Sequence, residues 1–249
     1  LITANYGYHL EAIYLDGVLD QTFPYSETLY TTAFTRTVTN VMADHQLDAV
    51  FAINTYTIDV TVGANGSVEP GDDVTLNHGD NATFVVTPDP CYYISEVLVD
   101  GTDVLGADST TFTYTFTNVF APHTFEANFA IYEYEMTETH TGMGTVSTAT
   151  VNCGDDYTYM IDADTANGYH IESVTFNGVT TTYGNNEDIH AEQLVEAVSQ
   201  DTTIDVVFAI NTYSIDVTVN GNGTTTPGDT AGIIWDTNVD YTITAEHGY

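Results

Sequence analysis

Carboxylates, imidazoles, two thiols and many aromatic rings are the groups in this chain that could do chemistry. Paired acids could act as general acid and base, but Asp72-Asp73 and Asp155-Asp156 lie in the strings PGDD and CGDD, where they read as exposed turn residues. Turns that gather carboxylates beside backbone carbonyls suit a hard cation better. The candidate metal residues are Asp16 and Asp20 around one turn, and Asp100 and Asp103 around another. Calcium is the cofactor they would take, although no D-x-D-x-D-G loop is present. The eight histidines do not fall at ligand spacing. His9, His170 and His247 instead recur beside a Gly-Tyr step, which indicates a repeated packing or turn role. No nucleophile-elbow motif supports a serine triad, and no catalytic residues are assigned; the chain is not expected to be an enzyme. Cys91 and Cys153 lie in no CxxC pattern, which argues against zinc.

The 18 tyrosines and 11 phenylalanines could stack on sugars. Most, including Tyr56, Phe84, Phe112, Tyr134 and Tyr213, occupy alternating positions that suit a strand's buried face. Tyr92 and Tyr93, being adjacent, cannot both point inward.

The elements that must position these groups repeat. FAINTYTIDVTV, Phe51 to Val62, returns as FAINTYSIDVTV at Phe208 to Val219, with a diverged copy from Phe129. The copies begin 78 and 79 residues apart. Tyr56, Ile58, Val60 and Val62 alternate with Thr55, Thr57, Asp59 and Thr61, so the string reads as one long strand with one dry face. Asn65-Gly66 after it is a hairpin signal. LEAI, ISEV and IESV, beginning at Leu10, Ile94 and Ile171, have spacing that suits a helical turn ahead of a strand. AEQLVEAV, Ala191 to Val198, also fits a short helix, but its register against the preceding repeat favours a strand path.

These phases divide the chain into 1–51, the second half of a repeat; 52–129 and 130–208, complete repeats; and 209–249, a first half. Both ends carry the same strand, and the chain reads as a piece of something longer. Units this small bury about 60 to 65% of their unfolded surface, so support from neighbours is useful. The expected fold class is all-β, with tandem antiparallel β-sandwich or β-grasp-like units of about 79 residues arranged as an elongated rod.

Thirty-six acidic residues face a single base, Arg36, for a formal charge of −35. That field repels nucleic acid and anionic membranes, and counterions should relieve its self-repulsion. No segment has 18 continuous apolar residues, so no membrane insertion is expected. Acidity of this kind also keeps a secreted β-rich chain soluble and guards its strand edges.

The run YTIDVTVGANGSVEPGDDVTLNHGDNATFVVTPDPCYYISEVLVDG, closing with YTFTNVFAPHTFEANF, resembles the divergent internalin-type B repeat, a tandem module of bacterial surface proteins and of type IX-secreted, adhesin-like chains. The resemblance implies an extracellular structural or adhesive segment of a long surface protein or filament, secreted and lying at the bacterial cell surface. Its partners would be neighbouring repeats or identical chains in a filament, or surface glycans and host or cell-surface ligands. The alternative is a carbohydrate- or ligand-binding accessory module of a secreted multidomain enzyme.

The family often places cysteines at both the NCG and PCY positions of one repeat, whereas here Cys153 has the first and Cys91 the second. A Cys91–Cys153 bond would close a loop of about 60 residues and contribute a few kcal/mol. Free thiols, or bonds to neighbouring chains, stay open at this point. Thr165, Thr230 and Ser109 stand in acidic-hydroxyl-small triplets that resemble the O-glycosylation acceptors of bacteria carrying such repeats. Asn65, Asn81 and Asn222 begin N-x-Ser/Thr sequons.

Overall fold

The computed structural model describes residues 1–248. Tyr249, which closes the repeated Gly-Tyr step, lies outside them. Among the described residues every regular element is a strand, apart from one 3-10 turn. The chain divides into two compact units, Leu1–Ile131 and Tyr132–Tyr249.

The first unit opens with β1 (Ile2–Thr3), β2 (Tyr8–Leu15), β3 (Val18–Thr22), β4 (Ala33–Phe34) and β5 (Leu47–Ile53). They form a three-stranded sheet β3-β2-β5 and a short β1-β4 ladder. A complete repeat follows: β6 (Thr55–Val62), β7 (Gly66–Glu69), β8 (Val74–Asn77), β9 (Ala82–Pro88), β10 (Tyr92–Val99), β11 (Thr102–Asp103), β12 (Phe112–Phe116) and β13 (His123–Ile131). Its two sheets run β11-β10-β13-β6-β8 and β12-β9-β7. Between them lies a core that includes Ile58, Phe84, Val86, Ile94, Val97 and Phe125, all fully buried. The Phe84 and Phe125 rings stack at 4.8 Å, and Phe116 meets Phe84 edge-on.

The second unit repeats this plan with β14 (Glu133–Thr141), β15 (Gly144–Val146), β16 (Ala149–Asn152), β17 (Tyr157–Ala163), β18 (Tyr169–Phe176), β19 (Val179–Thr182), β20 (His190–Val195) and β21 (Thr202–Ile210). Sheet orders β16-β14-β21-β18-β19 and β15-β17-β20 match the first repeat strand for strand. Met136, Tyr159, Ile161, Ile171, Ile204 and Val206 fill this core. The Tyr159 hydroxyl donates to the Thr202 carbonyl at 2.8 Å. Burial, with the Tyr157 ring beside it, pushes Tyr159 up to about 12. Last come β22 (Thr212–Ile215), β23 (Gly223–Thr226), β24 (Thr230–Ile234) and β25 (Thr242–Ala245), paired as β22-β24 and β23-β25.

The all-β expectation holds, but the sheets are mixed rather than wholly antiparallel. β13 pairs parallel to β6, and β21 parallel to β14. First and last strands of a repeat therefore run the same way at the centre of one sheet. The chain enters a repeat at one end of that sheet and leaves at the other, which suits head-to-tail repetition.

Three local expectations need correction. FAINTYTIDVTV is two strands, because β5 ends at Ile53, β6 begins at Thr55, and Asn54 between them is tied to loops on both sides. The Asn65-Gly66 step makes no hairpin, since β6 and β7 belong to different sheets. Gly66 is required instead by close packing: a Cβ there would sit 2.3 Å from the Phe129 ring. ISEV and its copies form no helical turn. The register slips by one residue after Leu10, Ile94 and Ile171, a β-bulge at Glu11, Ser95 and Glu172. The extra residue resets the alternation, so Ile94 and Val97, three apart, both point into the core. AEQLVEAV follows the strand path, with β20 on β17.

Arg36 and Asp20 form an ion pair, and the remaining ion pairs among the described residues involve histidine. With so little compensation for a charge of −35, the unfolding midpoint should rise as sodium chloride is increased from low to molar concentration. Calorimetry at fixed pH checks this; a flat or falling midpoint would show that self-repulsion does not limit stability.

Candidate functional site

The most elaborately built positions are the joints where one repeat passes to the next. Along β6 the inward phase runs Ile58, Tyr56 and then Asn54, which places a polar side chain on the dry face. Asn54 is 2% exposed, and its N–H, its carbonyl and its side-chain oxygen are all engaged. Its N–H donates to the Gly7 carbonyl and its carbonyl accepts from the His78 N–H, both at 2.8 Å. Its side-chain oxygen lies 2.9 Å from His9 Nδ1, and the buried His9 ring stacks on Tyr25 at 4.1 Å. The Tyr25 hydroxyl bonds to the backbone of Thr55.

Gly7 completes this joint. It has φ +81°, and a Cβ there would lie 2.5 Å from the His78 ring, which packs directly on its Cα. Tyr6 meets the same ring edge-on at 4.6 Å. His78 Nδ1 is buried with no hydrogen-bond partner among the described residues.

The second unit builds the same joint with another ring. The Asn211 N–H donates to Gly168 O at 2.7 Å, its carbonyl accepts from the Trp235 N–H at 3.0 Å, and its side-chain oxygen lies 2.8 Å from His170 Nδ1. Gly168, at φ +74°, carries the Trp235 indole on its Cα, where a Cβ would be 2.2 Å away. The packing role expected for His9 and His170 is thus a specific one: each imidazole fixes a buried asparagine. His247 is exposed.

The two cysteines stand at the corresponding places in sequence. Cys91, at φ +69°, precedes β10 as Gly7 precedes β2. Cys153 follows β16 as His78 follows β8, and its N–H donates to Tyr132 O at 2.8 Å. Neither is a free thiol.

The candidate metal residues sit elsewhere. Asp16 and Asp100 occupy positive-φ positions in Asp-Gly turns. Asp16 accepts from the Gln46 N–H at 2.9 Å and holds His45 Nδ1 at 2.8 Å. Asp100 accepts from the Thr124 N–H at 2.9 Å and holds His123 Nδ1 at 2.7 Å. Each carboxylate clasps a hairpin turn to the start of the returning strand, β5 or β13. Asp20 takes the Arg36 guanidinium through two bonds, of 2.6 and 3.0 Å, and Asp103 accepts from the Leu105 N–H. Among the described residues, no group of three or more His, Cys, Asp or Glu side chains is arranged to hold a metal.

The clasps shift titration. The His45 hydrogen bond, with that of the Gln46 N–H, holds Asp16 below the ordinary carboxyl value of 3.8. At Asp100 partial burial pushes upward but is outweighed by the Thr124 N–H and His123, so its carboxyl too lies below 3.8. A lowered folded value means stability that is present above the unfolded pKa and lost as pH falls through the folded one. Asp100→Asn should therefore flatten the loss of stability below about pH 4, read from urea midpoints across that range. An acid limb identical to the parent's would remove the clasp. His190 has the opposite sign: its bonds to Asp162 and Glu192 raise it above 6.5, so its contribution is full below 6.5 and fades as pH rises through the higher value.

The glycosylation candidates separate by accessibility. Thr165 is exposed in the 3-10 turn Thr165–Asn167, capped by Asp164. The Thr230 hydroxyl is bonded to Tyr241, and that of Ser109 to the Thr111 carbonyl.

Asn54, Asn211 and the ring-bearing glycines were not singled out by residue type. The available signal was phase, because Asn54 falls two residues before Tyr56 on the inward face.

Strand order, parallel central pairing and ring-on-glycine joints together define a tandem all-β repeat protein. Residues 56–133 match the model of the divergent InlB B-repeat domain, and this repeat is a member of that family. The family is a bacterial surface repeat module. No curated protein matches the chain.

Proposed function

We propose that the chain is a structural and adhesive segment of a long extracellular surface protein, in which the repeats act as a stalk. The observation that carries this reading is the through-running topology. A repeat entered at one end of its central sheet and left at the other adds reach with each copy, and a single residue, Asn54 or Asn211, separates the last strand of one repeat from the first of the next. Slack linkers would absorb reach, whereas a one-residue joint bonded on both sides transmits it. The family match supports a surface module, and among the described residues no helix is long and apolar enough to cross a membrane. The acidic surface suits an exposed, soluble chain.

Immunogold labelling of intact source cells with antibody raised against this chain tests the reading. Gold held outside the envelope at a distance is expected. Label confined to the cell interior would overturn it. Selective retention of one sugar on a glycan array, without a surface stalk, would favour an accessory binding module instead.

A further inference from the structure

Endopeptidases of the trypsin class cut after arginine or lysine, and this chain offers them one residue. A domain of ordinary composition is about a quarter charged, so 249 residues with half of those charges basic would carry roughly 30 such sites. Here Arg36 is alone. The residue after it is Thr37 rather than proline, so the Arg36–Thr37 peptide bond is chemically open to an enzyme of this kind.

The surroundings of that bond are those of a cleavable segment. Residues 36–46 belong to no regular element between β4 and β5. From 36 to 44 no backbone group bonds another backbone group among the described residues. Thr37, Val41 and Met42 are exposed, Met42 at 94%. An endopeptidase must draw several consecutive residues into an extended form, and this segment has no ladder or turn bonds to break first.

One contact stands in the way. The Arg36 guanidinium donates from Nε and Nη2 to the two oxygens of Asp20, at 2.6 and 3.0 Å, and from Nη1 to the Thr37 carbonyl at 2.7 Å. The group that such a protease must seat in its acidic specificity pocket is therefore already held by a carboxylate. A β-bulge places Asp20 for this. The β3–β2 register passes from Gln21↔Ile13 to Leu19↔Tyr14, which leaves Asp20 as an extra residue, whereas β19 pairs β18 in the 133–210 repeat without a shift. A bulge re-aims a side chain, and the residue inserted here is the acceptor for the chain's one guanidinium.

We propose that Arg36–Thr37 is a latched processing site, cut by an arginine-specific endopeptidase once the Asp20 ion pair opens. Water adds across the amide, so that Arg36 keeps the new carboxylate and Thr37 the new amino group. The two pieces stay together. β2 pairs β5 at seven positions, and the contacts of Gly7 and His9 to Asn54, and of Tyr25 to Thr55, all cross the cut. A covalent connection thus becomes one held by strand pairing and the joint. The site stands independently of the stalk reading.

Limited trypsin digestion of the folded 249-residue chain, followed by intact mass, tests this. A single cut is expected, giving pieces 1–36 and 37–249 that co-elute in size exclusion and part in urea. Asp20→Ala should speed the cut about fivefold without lowering the melting midpoint, because Asp20 lies on a strand exposed along its whole length. Arg36→Gln should abolish it. If parent and Asp20→Ala both stay whole while the unfolded chain is cut, the site is overturned. Equal rates in the two would remove the latch, and pieces that separate without urea would remove the retained pairing.

Discussion

Gly144→Ala should destabilise the 133–210 repeat by about 3 kcal/mol or more, a large effect for a single methyl group. The added Cβ would stand 2.4 Å from the Phe208 ring, inside carbon–carbon contact distance, so ring or backbone must move. The ring has little room to do so, since Phe208 is 3% exposed in a core that holds Met136, Ile161, Ile204 and Val206 without exposure. The backbone is equally confined. Gly142, two residues earlier at φ +83°, already brings its Cα so near the Phe208 carbonyl that a Cβ there would lie 2.0 Å from the oxygen. A domain is stable by only about 5 to 15 kcal/mol, so the loss is a large share of the whole. Urea titration gives the magnitude, and amide exchange should place lost protection in β14 to β21. Phe208→Leu in the Gly144→Ala background should recover part of the loss by making room. Gly223→Ala is the internal comparison: with no ring above it, it should cost under about 1 kcal/mol. Equal effects at the two glycines would refute the ring-on-glycine account.

That contrast also shows what sequence patterning can and cannot reveal. Alternation marked Tyr56 and Ile58 in β6 and Phe84 in β9 as inward, and all three are buried. Strand pairing was far less legible. Asn65-Gly66 has the chemistry of a hairpin turn, but the glycine answers a phenylalanine more than sixty residues later, and no local rule sees that distance. The bulges deceived in a regular way. Leu10 with Ile13, Ile94 with Val97, and Ile171 with Val174 show helical i, i+3 spacing because one extra residue resets a period of two. The Asp-Gly turns were located correctly, but residue type alone did not tell a cation ligand from a clasp. The difference lies in His45 and His123, brought to Asp16 and Asp100 from 29 and 23 residues away. The joint was legible only through phase, as an asparagine at a position where an apolar residue was due.

The joint in the first unit yields the second large effect, and a double-mutant cycle isolates it. Gly7→Ala acts twice: it places a side chain at φ +81° and drives a Cβ to 2.5 Å from the His78 ring. The backbone part should cost about 1 kcal/mol, and the collision about 2 kcal/mol more. His78→Ala alone should be mild. It gives up contacts with Tyr6 and Tyr56, but it also removes an imidazole nitrogen that is buried without a partner, an arrangement that itself costs about 1 to 3 kcal/mol. In the double variant the collision vanishes and the backbone strain stays, so the two changes should couple by about 2 kcal/mol in the favourable direction. Amide exchange supplies a local readout, because the Asn54 and His78 N–H groups bridge the two sides of the joint. Both should lose protection in Gly7→Ala and regain it in the double variant. Simple additivity would mean that the ring does not bear on Gly7, and the joint would then rest on Asn54 and His9 alone. The same cycle on Gly168 and Trp235 should couple more strongly, since the indole approaches to 2.2 Å and is the larger ring. An imidazole in one unit and an indole in the other thus serve the same mechanical end. Each fills the space that a missing side chain leaves, and so fixes the angle at which one repeat follows the next.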